Sequence, residues 1–403
     1  MHRVLCFLLV LSSLLVPAPW RAYAGDWPQW RGPGRDGLSP EVPQQLPPKR
    51  LLWKQPLMGE TYAGVVVAGD YVVVPDQSPG RDVFRCFSAQ SGALRWKHFY
   101  DNKGEMEFGS APRATPLIHD GLVYTLGAFG ELFALDLATG RVVWQRHLAR
   151  DFGAKVPTWG YCGSPLIVEG RLVVNPGAAA AGVVALHPKT GEVVWQTPGA
   201  PAAYSSFIAG TFGGVLQIVG YEQKALGGWE AVTGRRLWRV VPENEDDYNV
   251  GTPVAIGDRV LFATDMNYAR LYEFGPDGAA NPEPVALNEE LAPDTATPVA
   301  YKGLVFGPAY GLVCLDAGDG LKTLWKSDMK EQSLNGFMTL VAGNDRLLVF
   351  CEDGTLFLVA AEREKCRILG RLSLCGKTWS HPALSNGRLF IRDAKTLYCY
   401  AFR

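Results

Sequence analysis

One hairpin recurs along this chain and constrains the fold more than any other feature. Residues 134–144 read ALDLATGRVVW and residues 185–195 read ALHPKTGEVVW, a shared A-L-x-x-x-T-G-x-V-V-W. Weaker copies run from Phe87 to Trp96 with Ser91-Gly92, from Trp229 to Trp238 with Thr233-Gly234, and from Leu315 to Trp325 with Asp316 and Gly320. Six tryptophans, Trp53, Trp96, Trp144, Trp195, Trp238 and Trp325, stand 43, 48, 51, 43 and 87 residues apart, the last gap being about two units. One unit between Trp238 and Trp325 has therefore lost its Trp, and Leu271–Gly278 sits where its turn belongs. Alternating β-branched and aromatic residues make the two strands, and Gly at the turn takes the left-handed conformation. A large ring once per unit of ~45 residues is what stacked small sheets need to bury a face against a neighbour. Isolated core tryptophans would not keep constant spacing to the Thr-Gly turn.

Each unit also has an upstream strand pair. Residues 115–124, 164–173 and 252–261 share a Ser/Thr-Pro entry, a short apolar strand and a Gly-containing turn, and the series continues at Thr297-Pro298 and at His381-Pro382. Divergent copies begin near Tyr62, Ser205 and Phe337, giving eight first strands. Seven outer strands follow in order, but residues 380–403 have room for only three strands, so Leu51-Leu52-Trp53-Lys54 must supply the eighth. The expectation is an all-β, eight-bladed β-propeller of four-stranded blades over residues 51–403, its last blade closed by the N-terminal strand. Residues 25–50, rich in Pro and Gly, form an extended leader.

Residues 1–24 read as a signal peptide: Arg3, an apolar run from Val4 to Val16, then Ala22-Tyr23-Ala24 before Gly25. Pro17 and Pro19 end the run short of the ~20 residues a bilayer span needs, so no transmembrane helix is expected after cleavage. The product is expected to be exported, periplasmic or extracellular, soluble and monomeric. With 39 basic and 40 acidic residues in the whole chain, no nucleic-acid partner is expected. Seven cysteines remain after residue 24, none adjacent or two residues apart, which excludes a zinc ribbon and leaves a Cys366–Cys375 bridge open.

Repeated A-x-D-x-x-T-G-x-x-x-W hairpins in an exported chain resemble the PQQ-binding-like β-propeller repeat superfamily, which includes quinoprotein alcohol dehydrogenases and the outer-membrane assembly protein BamB. The opening from Asp26 to Gly37 (DWPQWRGPGRDG) resembles a segment at the start of exported propellers of this type. The quinoprotein resemblance would imply PQQ with calcium on the propeller axis, an Asp base and a disulfide between adjacent cysteines. This chain has no adjacent cysteine pair. Asp265, Asn267 and Asp294 are the candidates for a cation, more simply read as turn residues bonding backbone. Lipid-anchored BamB carries a cysteine after its apolar run, whereas Cys6 here precedes the core of the run. Gly32, Gly34 and Gly37 spell G-x-G-x-x-G, but no strand precedes and no helix is expected to follow, so the stretch is a turn-rich leader and not a nucleotide fingerprint. Gly177–Gly182 reads as a flexible loop in the third blade.

The loops that enter each first strand should cross one face of the ring. Reading back from the Pro register places Tyr62, Arg113, Trp159, Tyr161, Tyr204, Tyr248, Asn249, Asp294, Thr295, Asn335, Trp379 and His381 there. Rings beside an Arg at the mouth of a rigid funnel suit an extended peptide or sugar; the alternative is that they pack on one another and close the funnel. The leading expectation is a non-catalytic scaffold for an envelope or secreted protein partner, without a cofactor. The alternatives are a PQQ- and calcium-dependent alcohol dehydrogenase-like oxidoreductase and a glycan-binding module.

Overall fold

A computed structural model describes residues 25–102 and 104–402; the expected signal segment lies outside the described residues. Among the described residues, thirty-two strands form eight four-stranded antiparallel sheets, seven of them a hairpin pair in sequence order. Blades 1 to 7 occupy residues 66–101, 117–147, 166–197, 208–240, 254–288, 299–326 and 338–373. Blade 8 is composite: Ala383–Ser385, Arg388–Arg392 and Thr396–Ala401 are completed by Arg50–Pro56, which pairs antiparallel with the C-terminal strand (Leu51 opposite Tyr400, Gln55 opposite Leu397). The ring is thus the expected eight-bladed propeller, closed by its N-terminal strand.

The recurrent turn has the geometry that its sequence encodes. Asp136 Oδ1 accepts from Thr139 N and Oγ1 at 2.8 and 2.6 Å, and Gly140 sits at φ 70°. The tryptophan then does more than hold its own strand. Trp53, Trp96, Trp144 and Trp325 donate their indole N–H to Ala89 O, Leu137 O, Pro188 O and Glu362 O, each in the turn of the following blade, at 2.7–3.1 Å. The ring also covers the turn glycine: a Cβ on Gly92, Gly140, Gly191 or Gly234 would stand 2.3–2.7 Å from Trp53, Trp96, Trp144 or Trp195 respectively. Trp53, Trp96, Trp144, Trp195 and Trp325 are therefore latches from one blade to the next, whereas Trp238 donates to Gln217 Oε1 of its own blade at 2.7 Å. In blade 5, which lacks the Trp, Asn288 Nδ2 reaches Leu321 O and Thr323 Oγ1 of blade 6 at 2.8 and 2.9 Å.

The cores lie between blades. One buries Tyr124, Leu132 and Trp144 of blade 2 against Leu172, Val174 and Leu186 of blade 3. All seven cysteines among the described residues are free, so Cys366 and Cys375 are not bridged. Gly177–Gly182 is not loose: Ala178 and Ala181 exchange backbone hydrogen bonds at 3.0–3.1 Å in a tight turn, which alanines permit because their small side chains do not crowd it. Among the described residues, no helix is long and apolar enough to cross a membrane.

Candidate functional site

Blade topology defines two ends of the ring. Every first strand runs away from the inter-blade loops, so those loops and the turns between second and third strands share one end, the funnel. The Ser/Thr-Pro residues sit at its neck and tie neighbouring blades: Gly64 N donates to Thr115 Oγ1, Thr115 N to Ser164 Oγ, Ser164 N to Ser206 Oγ and Thr252 N to Thr297 Oγ1, all at 2.9–3.0 Å.

The leader does not hang free; it fills the hub. Trp27 pairs with Val67 of blade 1, and Pro28 O accepts from Ile118 N of blade 2 at 2.8 Å. Arg35 donates to Ser164 O and Pro165 O entering blade 3 and to Phe207 O entering blade 4, at 2.8–3.1 Å. Trp30 Nε1 bonds Thr252 Oγ1 entering blade 5 at 3.0 Å, and Arg31 Nη2 bonds Pro298 O entering blade 6 at 2.6 Å. Gly37 and Ser39 bracket Ala342 of blade 7, and Glu41 accepts from Asn386 N and Gly387 N of blade 8 at 3.0 and 2.8 Å. A segment of 16 residues, 26–41, thereby touches all eight blades. Gly32 and Gly37, at φ 84° and 77°, turn it back on itself, so the G-x-G-x-x-G spacing is turn chemistry. Burial lowers Arg31 to about 10 and, with Arg31 beside it, Arg35 to about 9. Burial and then Arg31 lower His381 to about 3, its ring 4.0 Å from Trp30.

This hub does not fit a quinone with a calcium ion. Trp30 packs against His381 at a tilt of 50°, both leader arginines donate to blade carbonyls, and among the described residues no three His, Cys, Asp or Glu converge as a metal set. Asn267 commits its amide to Asn244 and Asp247, and Asp294 stands at the surface with its carboxyl partly desolvated, its pKa raised by that desolvation and by Asp265 and Asp247.

The predicted funnel residues fall into three groups. Trp159 packs against Tyr204 and Tyr248 at 5.0 and 4.7 Å and bonds Glu107 Oε2, with Phe108 at 6.2 Å. Trp379 lies on Phe337 at 5.1 Å and near Tyr62 at 5.7 Å, and the Arg113 guanidinium sits 5.3 Å over Tyr62. The third group is not presented to a ligand. Arg113 is buried, donating to the carbonyls of Glu107, Phe108, Gly109 and Ala111; Tyr161 is a core residue bonded to Pro176 O at 3.0 Å; Asn249 is buried and bonds Gln223 O. Asn335 Nδ2 bonds Met329 O within its own loop.

Side chains that the Pro register missed dominate the open surface. Met58, Phe108, Tyr248, Met266, Tyr310 and Met329 are exposed large hydrophobics in funnel-end loops and turns, Tyr310 84% exposed; only Tyr248 belongs to the expected set. Other exposed large hydrophobics lie on or beside the strands, and Val232 stands alone in a turn of the opposite end.

A propeller with this hub and funnel has clear relatives. The profile of the family described as outer membrane protein assembly factor BamB matches residues 46–156 and 81–320, and the chain belongs to this PQQ-binding-like β-propeller family. It is 24% identical over 289 residues to the outer membrane protein assembly factor BamB of Yersinia pestis, covering 68% of this chain and 70% of that one. It is also 32% identical over 147 residues to the quinoprotein alcohol dehydrogenase PedH of Pseudomonas putida, a match covering 34% of this chain and 23% of that enzyme. The chain thus spans about a quarter of the dehydrogenase it matches. The solved quinohemoprotein alcohol dehydrogenase of Comamonas testosteroni superposes with a TM-score of 0.67 over 94% of this chain and 81% of that one at 13% identity, a likeness of fold alone.

Proposed function

We propose that this chain is an exported, non-catalytic propeller that holds a protein partner on its funnel end. The observation that carries this reading is the asymmetry of exposed apolar side chains: Met58, Phe108, Tyr248, Met266, Tyr310 and Met329 crowd one end, and the other end is nearly bare of them. Exposed apolar surface gathered on one end, with Phe108 and Tyr248 joined through Trp159, favours an interaction site there, and methionine with aromatics is the composition of adaptable protein contacts. Likeness to BamB supports the same reading, and the arginine-headed apolar run ending at Ala22-Tyr23-Ala24 supports export. A photo-crosslinking residue placed at Phe108 or Tyr310 should trap a protein in cells, and one placed at Asp258, in a turn of the opposite end, should not. Equal trapping at both ends, or none at the funnel, would end the proposal. Dehydrogenase activity is the lesser reading because the leader occupies the axis; PQQ and Ca²⁺ added to purified protein should leave its melting temperature unchanged.

A further inference from the structure

Neither the repeat nor the funnel accounts for a polar cleft of about 1010 Å³ at the joint between blades 4 and 5. In the third strand of blade 5, Tyr268–Tyr272, the side chains of Ala269 and Leu271 enter the core shared with blade 6, so alternation sends Arg270 and Tyr272 toward blade 4. There Arg270 lines the cleft, only 4% exposed, and its Nε, Nη1 and Nη2 have no carboxylate or carbonyl acceptor in hydrogen-bonding geometry, the neighbouring Tyr272 hydroxyl being its one weak partner. The other buried arginines behave differently: Arg31, Arg35, Arg113 and Arg392 each donate to backbone carbonyls. A buried guanidinium with no carboxylate or carbonyl acceptor is costly to the fold by itself.

The rim has the opposite charge. Glu243, Glu245, Asp246, Glu283 and Glu289 line the cleft, and the one lysine, Lys224, lies 3.8 and 3.6 Å from Glu245 and Asp246. Five carboxylates would repel a simple anion, so the group that reaches Arg270 must arrive on a molecule carrying positive charge. A planar guanidinium matches a carboxylate through two parallel bonds. Val241, Met266 and Leu287, all exposed, add apolar surface beside the acids.

We propose that this cleft binds the free C-terminal carboxylate of a polypeptide whose last residues are basic and apolar, the carboxylate on Arg270 and the cations over the acidic rim. The cleft opens at the funnel end and shares Met266 with the apolar surface proposed for a partner, but its test uses the purified chain and a peptide and so does not depend on that partner. Fluorescence anisotropy with the purified chain and a labelled lysine-leucine hexapeptide should show the free acid binding roughly tenfold or more tighter than its C-terminal amide. Arg270→Met should erase that ratio without lowering the melting temperature, because a buried charge with no carboxylate or carbonyl acceptor is removed. Glu243→Gln combined with Glu283→Gln should weaken both peptides and leave the ratio intact. Equal affinity for acid and amide, or no saturable binding of either, overturns the proposal. Should Arg270→Met fail to fold, Arg270→Lys decides: a reduced acid-over-amide ratio supports the site, and an unchanged ratio overturns it.

Discussion

His381 makes the plugged hub sensitive to acid. An unfolded histidine takes up a proton near ~6.5, whereas burial, helped by Arg31, holds His381 down to about 3 in the fold. The unfolded state therefore binds the extra proton between those values, and stability present above the unfolded pKa is lost as pH falls through the window, by up to ~1.4 kcal/mol per unit. Asp82, raised to about 6 by burial, acts in the opposite direction, so the wild type alone does not isolate the histidine. Urea midpoints measured from pH 7 to pH 4 should fall more steeply for the wild type than for His381→Phe, which keeps a ring against Trp30. Parallel profiles would show that His381 is not the sensitive group. A second residue-scale contrast lies within blade 2. Gly121 and Gly140 have φ 75° and 70°, but a Cβ at Gly121 meets nothing within 4 Å, whereas one at Gly140 stands 2.6 Å from Trp96. Gly121→Ala should cost ~1–2 kcal/mol, the left-handed penalty alone, and Gly140→Ala clearly more, read from denaturation midpoints.

At the scale of the element, the hairpin and its tryptophan form a single device. Trp144→Phe should retain the blade yet lose the bond to Pro188 O and part of the cover on Gly191, a destabilisation of about 1–3 kcal/mol by urea unfolding. Asn288→Ala, removing the polar substitute in blade 5, should cost about 1 kcal/mol. The hairpins were legible because turn, strand and latch share one local spacing. The missing Trp of blade 5 and the closing strand near Leu52 followed from counting units. The destination of each indole in the next blade was not legible, since a linear repeat does not say which neighbour it touches. The same limit hid the hub: the leader is held largely through backbone groups such as Ser164 O, Phe207 O and Pro298 O, which no side-chain pattern announces. In the funnel, the Pro register located Tyr62, Trp159, Tyr204, Tyr248 and Trp379, which lie in the two ring clusters. It could not separate them from Tyr161, two residues past Trp159 and turned into the core. Phe108 and Met329 lie in loops between blades and Tyr310 in the turn between the second and third strands of blade 6, where the hairpin motif carries no information.

In the whole molecule, two adjoining N-terminal segments close the ring in different ways. Arg50–Pro56 removes the free edge of blade 8, and residues 26–41 bond to every blade from within. Stacked repeats ordinarily contact only their neighbours, and their stability propagates from one to the next. A central segment that bonds to all eight blades couples blades on opposite sides of the ring, so loss of any one disturbs the same plug. The full chain should then unfold in one sharp urea transition. A chain beginning at Pro43 retains the closing strand but exposes Ser164 O, Pro165 O, Phe207 O and Pro298 O, buried acceptors each worth ~1–3 kcal/mol when left unbonded. Its midpoint should drop and its transition broaden, with an apparent m-value below that of the full chain as cooperativity fails. A synthetic peptide of residues 25–42 added in trans should restore both, in proportion to its concentration, because it binds only the folded ring. A truncated chain with an unchanged midpoint and slope would mean that the latches alone unite the ring and that the leader merely occupies space its blades do not need filled.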